Sequence, residues 1–585
     1  MRRGARLAWV LVFVGCECAQ VEPLARYACD ENGQCLSGER CVGGFCERVD
    51  GGAAGGSGGG GDTAGGGRAG GGVAGGGSAG GAPFDAGCAG RPDPVDALGL
   101  DENCDGVDGV AAEAVFIDPL HGTVNGEGTR AYPVSSFSSG LVKIGPAGKV
   151  RFFVAEGTLT ETETVRLGAY SVHGGYSRTE DGGWVRSRLR LSGCGDGGRP
   201  ILYGAPVAMR CDPGDASVTI ESLCIVAADA DAGASIGLAI VGGGDRTVLG
   251  ELDVTAGVGA DGPDGADGDA GADGEPGEPG QRGGPSVDRV AGGDGGRATC
   301  GLSNGGNGGA GRDSASGLPG QSAEGARGGV EGALVTGSCT SSCTCGTVTR
   351  AGGDGAPGDA GVDGDAGRAG HGIGAVTAAL LWQPVSGTPG TAGTRGRPGA
   401  GGGGAGWYRL DSTGVTGASG GGGGAPGCPG AGGGAGMSGG ASIGLLLLNA
   451  KPTLVGDVSL TARNGGNGGS AGVGGRGGEG GMGGDGGPGF EMWCNGGDIA
   501  LDGGAALGQQ PLPGPLGTRG GAGGQGGRGG NGGNAGSGAG GPSVAIFCAD
   551  GGYTGIPTRR DVGSGGMGAM GADGGLVAQQ YACTM

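Results

Sequence analysis

Apolar residues in this chain come in short runs, and the runs differ in kind. Leu7 to Val14 is a continuous apolar stretch behind Arg2, Arg3 and Arg6. From Ala114 the texture turns strand-like: Ala114–Ile117, Val150–Val154, Val165–Leu167 and Ser171–His173 are β-rich runs separated by glycine and threonine turns. Ala234-Ser-Ile-Gly-Leu238 recurs as Ala441-Ser-Ile-Gly-Leu445, with a partial third copy at Pro542–Phe547. A second apolar run follows each full copy, Val248–Ala256 and Leu454–Ala462. Between these units glycine falls at every third position over 259–283 and 352–370. Over 465–489 and 520–533 two of every three residues are nearly all glycine.

A period of three matches a threefold extended helix, so glycine at that spacing clears whole faces of side chains and lets neighbouring backbones bond. The pattern predicts packed polyglycine II-like layers, with Asn467, Ser470, Val473, Arg476, Glu479, Met482, Asp485 and Pro488 facing out. A solvated, disordered linker is the alternative reading of the same composition. The acidic tract carrying Asp261, Asp264, Asp267 and Asp273 is expected to pack less readily than the near-neutral ones, because its charges repel.

Composition sharpens this. Glycine is 167 of 585 residues and aromatics only 4%, so much of the chain cannot build an ordinary core. With 28 prolines it is too proline-poor for a collagen triple helix. The net charge of −21 argues against a nucleic-acid partner and against docking on anionic lipid. His121, His173 and His371 are the only histidines. The 19 cysteines, with so few histidines, read as disulfides of an exported protein, with no free thiol expected once one cysteine is set aside.

The apolar run at 7–14 is too short to span a bilayer and reads as a signal peptide over 1–15. Phe13-Val14-Gly15-Cys16 resembles the bacterial lipobox. That resemblance implies cleavage before Cys16 and a lipid on its thiol, with residues 16–28 as the anchored tether. Glu17 stands where an Asp would favour inner-membrane retention, which implies an outer-membrane, surface location. Cys29, Cys35, Cys41 and Cys46 follow, too close together to enclose a core, so crosslinks must replace one. The pairing stays open, a four-thiolate metal knot is the rival, and the segment resembles the Cys-rich modules of myxobacterial lipoproteins. Residues 51–87 are glycine-rich linker, the stretch to Ala82 reaching about 30 Å as a flexible coil.

Within 88–112, Asp101, Asn103 and Asp105 place oxygen donors at alternate positions ahead of Gly106, the first half of a calcium loop. Asp108 joins the candidate set; the twelfth position is Ala112, with Glu113 one residue late. The run resembles the DENCDG-type metal-binding motif of myxobacterial surface proteins, which implies Ca²⁺. An acidic turn held by Cys88 and Cys104 is the alternative.

The segment 113–226, with Gly157-Thr158-Leu159, His173-Gly174-Gly175-Tyr176 and Trp184, resembles the entry coils of right-handed parallel β-helix proteins. The fold expected is all-β: a β-helix over 113–256, continuing through 257–585 as coils alternating with glycine arms. The late chain resembles PE-PGRS-type repeats and glycine-rich phage tail adhesin tips in composition. No phased cluster of catalytic carboxylates stands out, and Asp196, Arg199, Arg210, Asp212 and Asp215 lie scattered in Gly/Pro loops. The expectation is a non-enzymatic surface lipoprotein with a structural or adhesive role. Its expected partners are outer-membrane lipid through Cys16, surface polysaccharide, or its own copies. Carbohydrate or ice binding by the flat glycine faces is the alternative, and a polysaccharide lyase or hydrolase comes third.

Overall fold

A computed structural model describes residues 39–42, 45–48 and 91–584, apart from 97–98, 147, 181, 187–192, 195–197, 286–288, 302, 338–350, 378–381, 411–412, 491, 496–497, 502–509 and 512–517. The chain divides into two units, Met1–Ala82 and Pro83–Met585. In the first, β1 (Glu39–Val42) and β2 (Phe45–Arg48) form an antiparallel hairpin that sets Cys41 opposite Cys46. Cys16, Cys29, Cys35 and Cys88 lie outside the described residues.

The second unit is built on two sheets. One contains β3 (Ala114–Ile117), β4 (Arg151–Ala155), β5 (Thr158–Thr160), β7 (Ser171–Arg178), β8 (Trp184–Arg186), β9 (Ile201–Gly204), β11 (Val218–Ala227), β13 (Thr247–Thr255), β20 (Thr453–Ala462) and β25 (Arg559–Val562). The other contains β6 (Val165–Arg166), β10 (Val207–Cys211), β12 (Ser235–Gly244), β19 (Ser442–Ala450), β24 (Ser543–Ala549) and β26 (Val577–Tyr581). Pairing is parallel throughout both, except that β8 runs antiparallel to β7. Shorter pieces make small sheets of their own: β14 (Arg289–Val290) with β15 (Gly311–Arg312), β16 (Val335–Gly337) with β17 (Tyr408–Leu410) and β18 (Thr413–Val415), and β21 (Met492–Asn495) with β22 (Asp498–Leu501) and β23 (Gln510–Pro511).

The expected all-β right-handed parallel β-helix is not what this chain forms. Both sheets are open and neither closes on itself, and a helix, α1 (Phe137–Ile144), interrupts the stretch read as its first coils. The physical reason lies in the connections. Even coils need strand-to-strand links of similar length, whereas β12 passes to β13 in a tight turn and β13 reaches β19 only after the glycine tracts of 257–441. The result is open parallel sheets with few helices.

Burial explains the apolar pattern. Phe152, Val172, Ile220 and Leu249 of one sheet meet Leu238, Ile240, Leu445, Leu447 and Ile546 of the other in a shared core. The remaining faces are covered too. Ile443, Leu446, Val544 and Phe547 pack with Trp382, while Phe116, Phe153, Tyr176 and Trp184 pack with Val107. A parallel sheet buried on both faces reads as a continuous apolar run, which is why Leu445 to Leu448 shows no alternation.

The repeated Ala-Ser-Ile-Gly-Leu unit is a stacking unit. Ile236 pairs with Ile443, and Ile443 with Val544, so successive copies lie side by side. Its serine is wholly buried at Ser235, Ser442 and Ser543. Ser442 Oγ donates to Gly257 O (2.7 Å) and accepts from Arg463 N (2.8 Å), fastening the points where two strands run out into glycine tracts.

The tracts themselves bond to one another in steps of three. Gly265 and Gly268 N–H donate to Ser470 and Val473 O, each at 2.8 Å. Gly475 and Gly478 N–H donate to Ala431 and Cys428 O, and the amides of those two residues donate on to Asp269 and Ala272 O, closing a triangle of chains. Tract 416–440 also bonds to 519–541 (Gly427 N to Gly527 O, 2.9 Å) and receives bonds from 387–406 (Gly396 N to Gly427 O, 3.1 Å). It is thus enclosed, with Ala418, Ala425 and Cys428 buried. Close approach demands glycine here: a Cβ on Gly424 would sit 1.8 Å from Gly481 O.

Disulfides join Cys194 to Cys224, Cys300 to Cys428 and Cys548 to Cys583. Cys211 is free and buried, so the expectation that every thiol is paired does not hold.

Candidate functional site

The acidic loop curls on itself through its own side chains. Asp101 accepts from Asp105 N (3.0 Å) and Gly106 N (2.8 Å), and Asn103 Oδ1 accepts from Asp105 N (2.8 Å). Cys104 and Gly106 take positive φ values of 58° and 89°, which lets the backbone turn inside the ring of oxygens. Cys104 is disulfide-bonded.

A residue from upstream completes the cluster. Asp93, only 3% exposed, accepts from Glu102 N (3.4 Å) and Gly109 N (3.1 Å). Carboxylate oxygens of Asp93, Asp101 and Asp105 lie within 4.8 Å of one another. Burial, then a hydrogen bond with Glu102 and the nearby charges of Glu102 and Asp101, push Asp93 up to about 7. Glu102 Oε2 and Asp105 Oδ1 are buried with no hydrogen-bond partner. Crowded like charges and orphaned hard oxygens are what a divalent cation satisfies, and an all-oxygen donor set suits Ca²⁺. Asp93, Asp101 and Asp105 would hold it, with Glu102 beside Asp93.

One sequence-derived member, Asp108, falls elsewhere, and so does Glu113, the acid one residue late for the twelfth position. Asp108 turns away: it accepts from Asp96 N (3.0 Å) and faces Arg186 Nη1 at 3.5 Å, with burial lifting its pKa to about 6. Glu113 binds Arg151 Nη2 at 2.7 Å and so does not supply the missing twelfth ligand. Asn103 stays in the loop, its Nδ2 donating to Asp105 Oδ2 (3.1 Å). Asp93 escapes a reading of the sequence because it lies eight residues before Asp101, outside the loop; the isolated acid in Pro92-Asp93-Pro94 is the one available sign.

Beyond the loop, on the outer face of the ten-stranded sheet, lies a buried charge cluster. Arg186 donates to Glu221 Oε1 (2.8 Å), Ser222 Oγ (3.0 Å), Gly174 O (3.1 Å) and Asp96 O (2.7 Å). His173 Nδ1 meets the same Glu221 oxygen at 2.7 Å. Burial lowers the His173 pKa, keeping the ring neutral. Burial works against the Glu221 carboxylate, but His173 and Arg186 outweigh it and hold its pKa below the usual range. A cavity of about 580 Å³ opens here, between the 92–95 segment and the side chains of Arg151, Ser171, His173, Ser217, Thr219 and Glu221.

Of the residues weighed for catalysis, Arg210, Asp212 and Arg199 are engaged structurally, while Asp215 is exposed. Arg210 is clamped by both oxygens of Asp212 (3.1 and 2.8 Å), and Arg199 donates to Glu251 O (2.8 Å). Asp196 lies outside the described residues.

The third candidate surface is the glycine bundle. Asn467, Ser470, Val473, Arg476, Glu479, Met482, Asp485 and Pro488 are all exposed, as the period predicted. The acidic tract departs from expectation and packs firmly. Asp261, Asp264, Asp267 and Asp273 each accept a backbone N–H of the neighbouring tract (Asn467, Ser470, Val473 and Glu479) at 2.6–2.8 Å. The hydrogen bonds engage the carboxylates that were expected to keep the chains apart.

No family model, curated protein or solved structure matches the chain. Among the described residues no helix is long and apolar enough to cross a membrane.

Proposed function

We propose that this chain is a non-enzymatic cell-surface lipoprotein with a structural or adhesive role. It is held to outer-membrane lipid by an acylated Cys16 and displays the glycine bundle outward, toward polysaccharide or neighbouring cells. The observation that carries the reading is the enclosure of tract 416–440 by other tracts. Such a body gains rigidity from backbone bonding, and it gives every outward third position over to surface chemistry. The mixed charge and polarity of that row, from Asn467 to Pro488, suits a contact surface better than a uniform ice-matching lattice.

Calcium at Asp93, Asp101 and Asp105 would act as a clamp in this reading, pinning the 91–112 segment. Asp108 and Tyr176 already tie that segment to the sheet, the Tyr176 hydroxyl donating to Asp108 O at 2.7 Å. Fractionation of cells tests the anchor: Cys16→Ser should move the chain from membranes to the soluble fraction. Adhesion of wild-type cells to polysaccharide-coated surfaces should exceed that of Cys16→Ser cells. Membrane retention of the variant removes the lipid anchor, and equal adhesion removes the adhesive role.

A further inference from the structure

We propose that the cavity between the 92–95 segment and the outer face of the ten-stranded sheet binds an uncharged saccharide. This deepens the surface-contact reading, on which it rests, by assigning it a pocket and a ligand class.

The cavity is about 580 Å³, within the range of small-molecule sites. Apart from Asp93, which belongs to the acidic loop, its charges are matched in pairs. Arg151 Nη2 is bonded to Glu113 at 2.7 Å, and Glu221 accepts from both His173 and Arg186. Asp93 at the rim accepts two backbone amides. A free anion would find no unneutralised guanidinium here, and the one carboxylate without a countercharge, Asp93, is the one that a cation in the acidic loop would claim. Burying either without a partner is costly.

What remains is one buried donor without a partner, the Arg151 Nε–H, beside neutral hydrogen-bonding capacity. The hydroxyls of Ser217 and Thr219 have no protein partner among the described residues, while Ser171 Oγ is taken by Thr219 N (3.0 Å). The His173 ring is fixed through Nδ1 by Glu221, leaving Nε2 as its second polar atom. A ligand hydroxyl both donates and accepts, so it can satisfy a serine, a threonine or a neutral imidazole in either sense. Pro92, Pro94 and Val95 add apolar lining, against which the C–H face of a sugar ring can lie. A mixed polar and apolar lining in a cavity of this size suits a pyranose better than a peptide or a lipid.

The site has the same rim as the acidic loop, because Asp93 belongs to both. Occupation of that loop by Ca²⁺ would therefore fix one wall of the pocket.

Titration calorimetry on the full mature chain tests this. The probes are neutral trisaccharides of glucose, galactose, mannose and N-acetylglucosamine, beside a galacturonate trimer. At least one neutral trisaccharide should bind, and Thr219→Val and Ser217→Ala should each weaken it roughly tenfold, the worth of one lost hydrogen bond. Both variants sit on the cavity wall and keep side-chain volume, and circular dichroism checks that they fold. Absence of binding by every neutral probe overturns the proposal. Preference for the galacturonate overturns the charge argument. Sugar binding that both variants leave intact places the ligand elsewhere. Adhesion that depends on Cys16 while this pocket proves empty would leave the surface role standing on the bundle alone.

Discussion

The amide of Asn467 donates to the carboxylate of Asp261 at 2.6 Å, across 206 residues of chain. The same offset recurs at Ser470 with Asp264, Val473 with Asp267 and Glu479 with Asp273. A register of this kind fixes two distant tracts in parallel. It also makes Asp261, Asp264, Asp267 and Asp273 structural, since each accepts an outward N–H that no other backbone reaches.

Asp264→Ala should therefore loosen the bundle locally without unfolding it. Removing one acceptor from a solvent-facing amide costs about 1 kcal/mol, so the melting temperature should drop only slightly. Amide exchange at Ser470 should accelerate, while Gly475, bonded to Ala431 O at 2.8 Å, keeps its protection. Unchanged exchange at Ser470 would refute the ladder.

A far larger effect is expected inside the bundle. At Gly424 an added Cβ meets Gly481 O at 1.8 Å, and the carbonyl belongs to a chain that is itself bonded on other sides. Gly424→Ala should destabilise by more than about 3 kcal/mol, beyond the usual range for overpacking because backbone must move. Val473→Ala, at an exposed outward position of the same lattice, should be close to neutral. Thermal unfolding of the two variants separates a packed lattice from a loose one: equal melting temperatures would contradict it.

Much of the bundle is legible in the sequence. Period-three glycine foretells which residues of 465–489 face out, and the repeated Ala-Ser-Ile-Gly-Leu foretells strands that stack. The fold class is not, because short β-rich runs between glycines look alike whether their links are even or not. The acidic tract misleads because repulsion between aspartates is visible in the sequence, but the backbone amides available to them are not. Helix Phe137–Ile144 gives only a weak signal, a serine-rich stretch with a glycine inside; it holds by its Ser136 cap, which accepts from Ser139 N, and by burial of Phe137 and Ile144. The cation cluster is half legible, since Asp93 reaches it through folding alone.

The buried serines make a sharper prediction about the junctions. Ser442 Oγ is both donor to Gly257 and acceptor from Arg463, so Ser442→Ala strands a buried carbonyl and a backbone amide together. The loss should be about 2–3 kcal/mol, seen as a lower denaturation midpoint. A midpoint unmoved by Ser442→Ala would mean the hydroxyl does not fasten the tract ends.

The acidic loop ties stability to pH in a direction opposite to most carboxylates. Asp93 is held up to about 7 in the fold, against an ordinary value of 3.8. Between those values the folded chain binds more protons than the unfolded one, so stability falls as pH rises through the window. The contribution is complete below the ordinary value and gone above about 7. Bound Ca²⁺ reverses the sign, since it needs the carboxylate ionised, and its binding should release a proton and tighten as pH rises. Limited proteolysis across residues 101–112 reads both effects. In chelator, cleavage should be slower near about pH 5 than near about pH 8; with calcium added, protection should be strongest at the higher pH. Cleavage in chelator that ignores pH would show that Asp93 does not govern the loop, and cleavage indifferent to calcium at the higher pH would show that Asp93, Asp101 and Asp105 hold no cation.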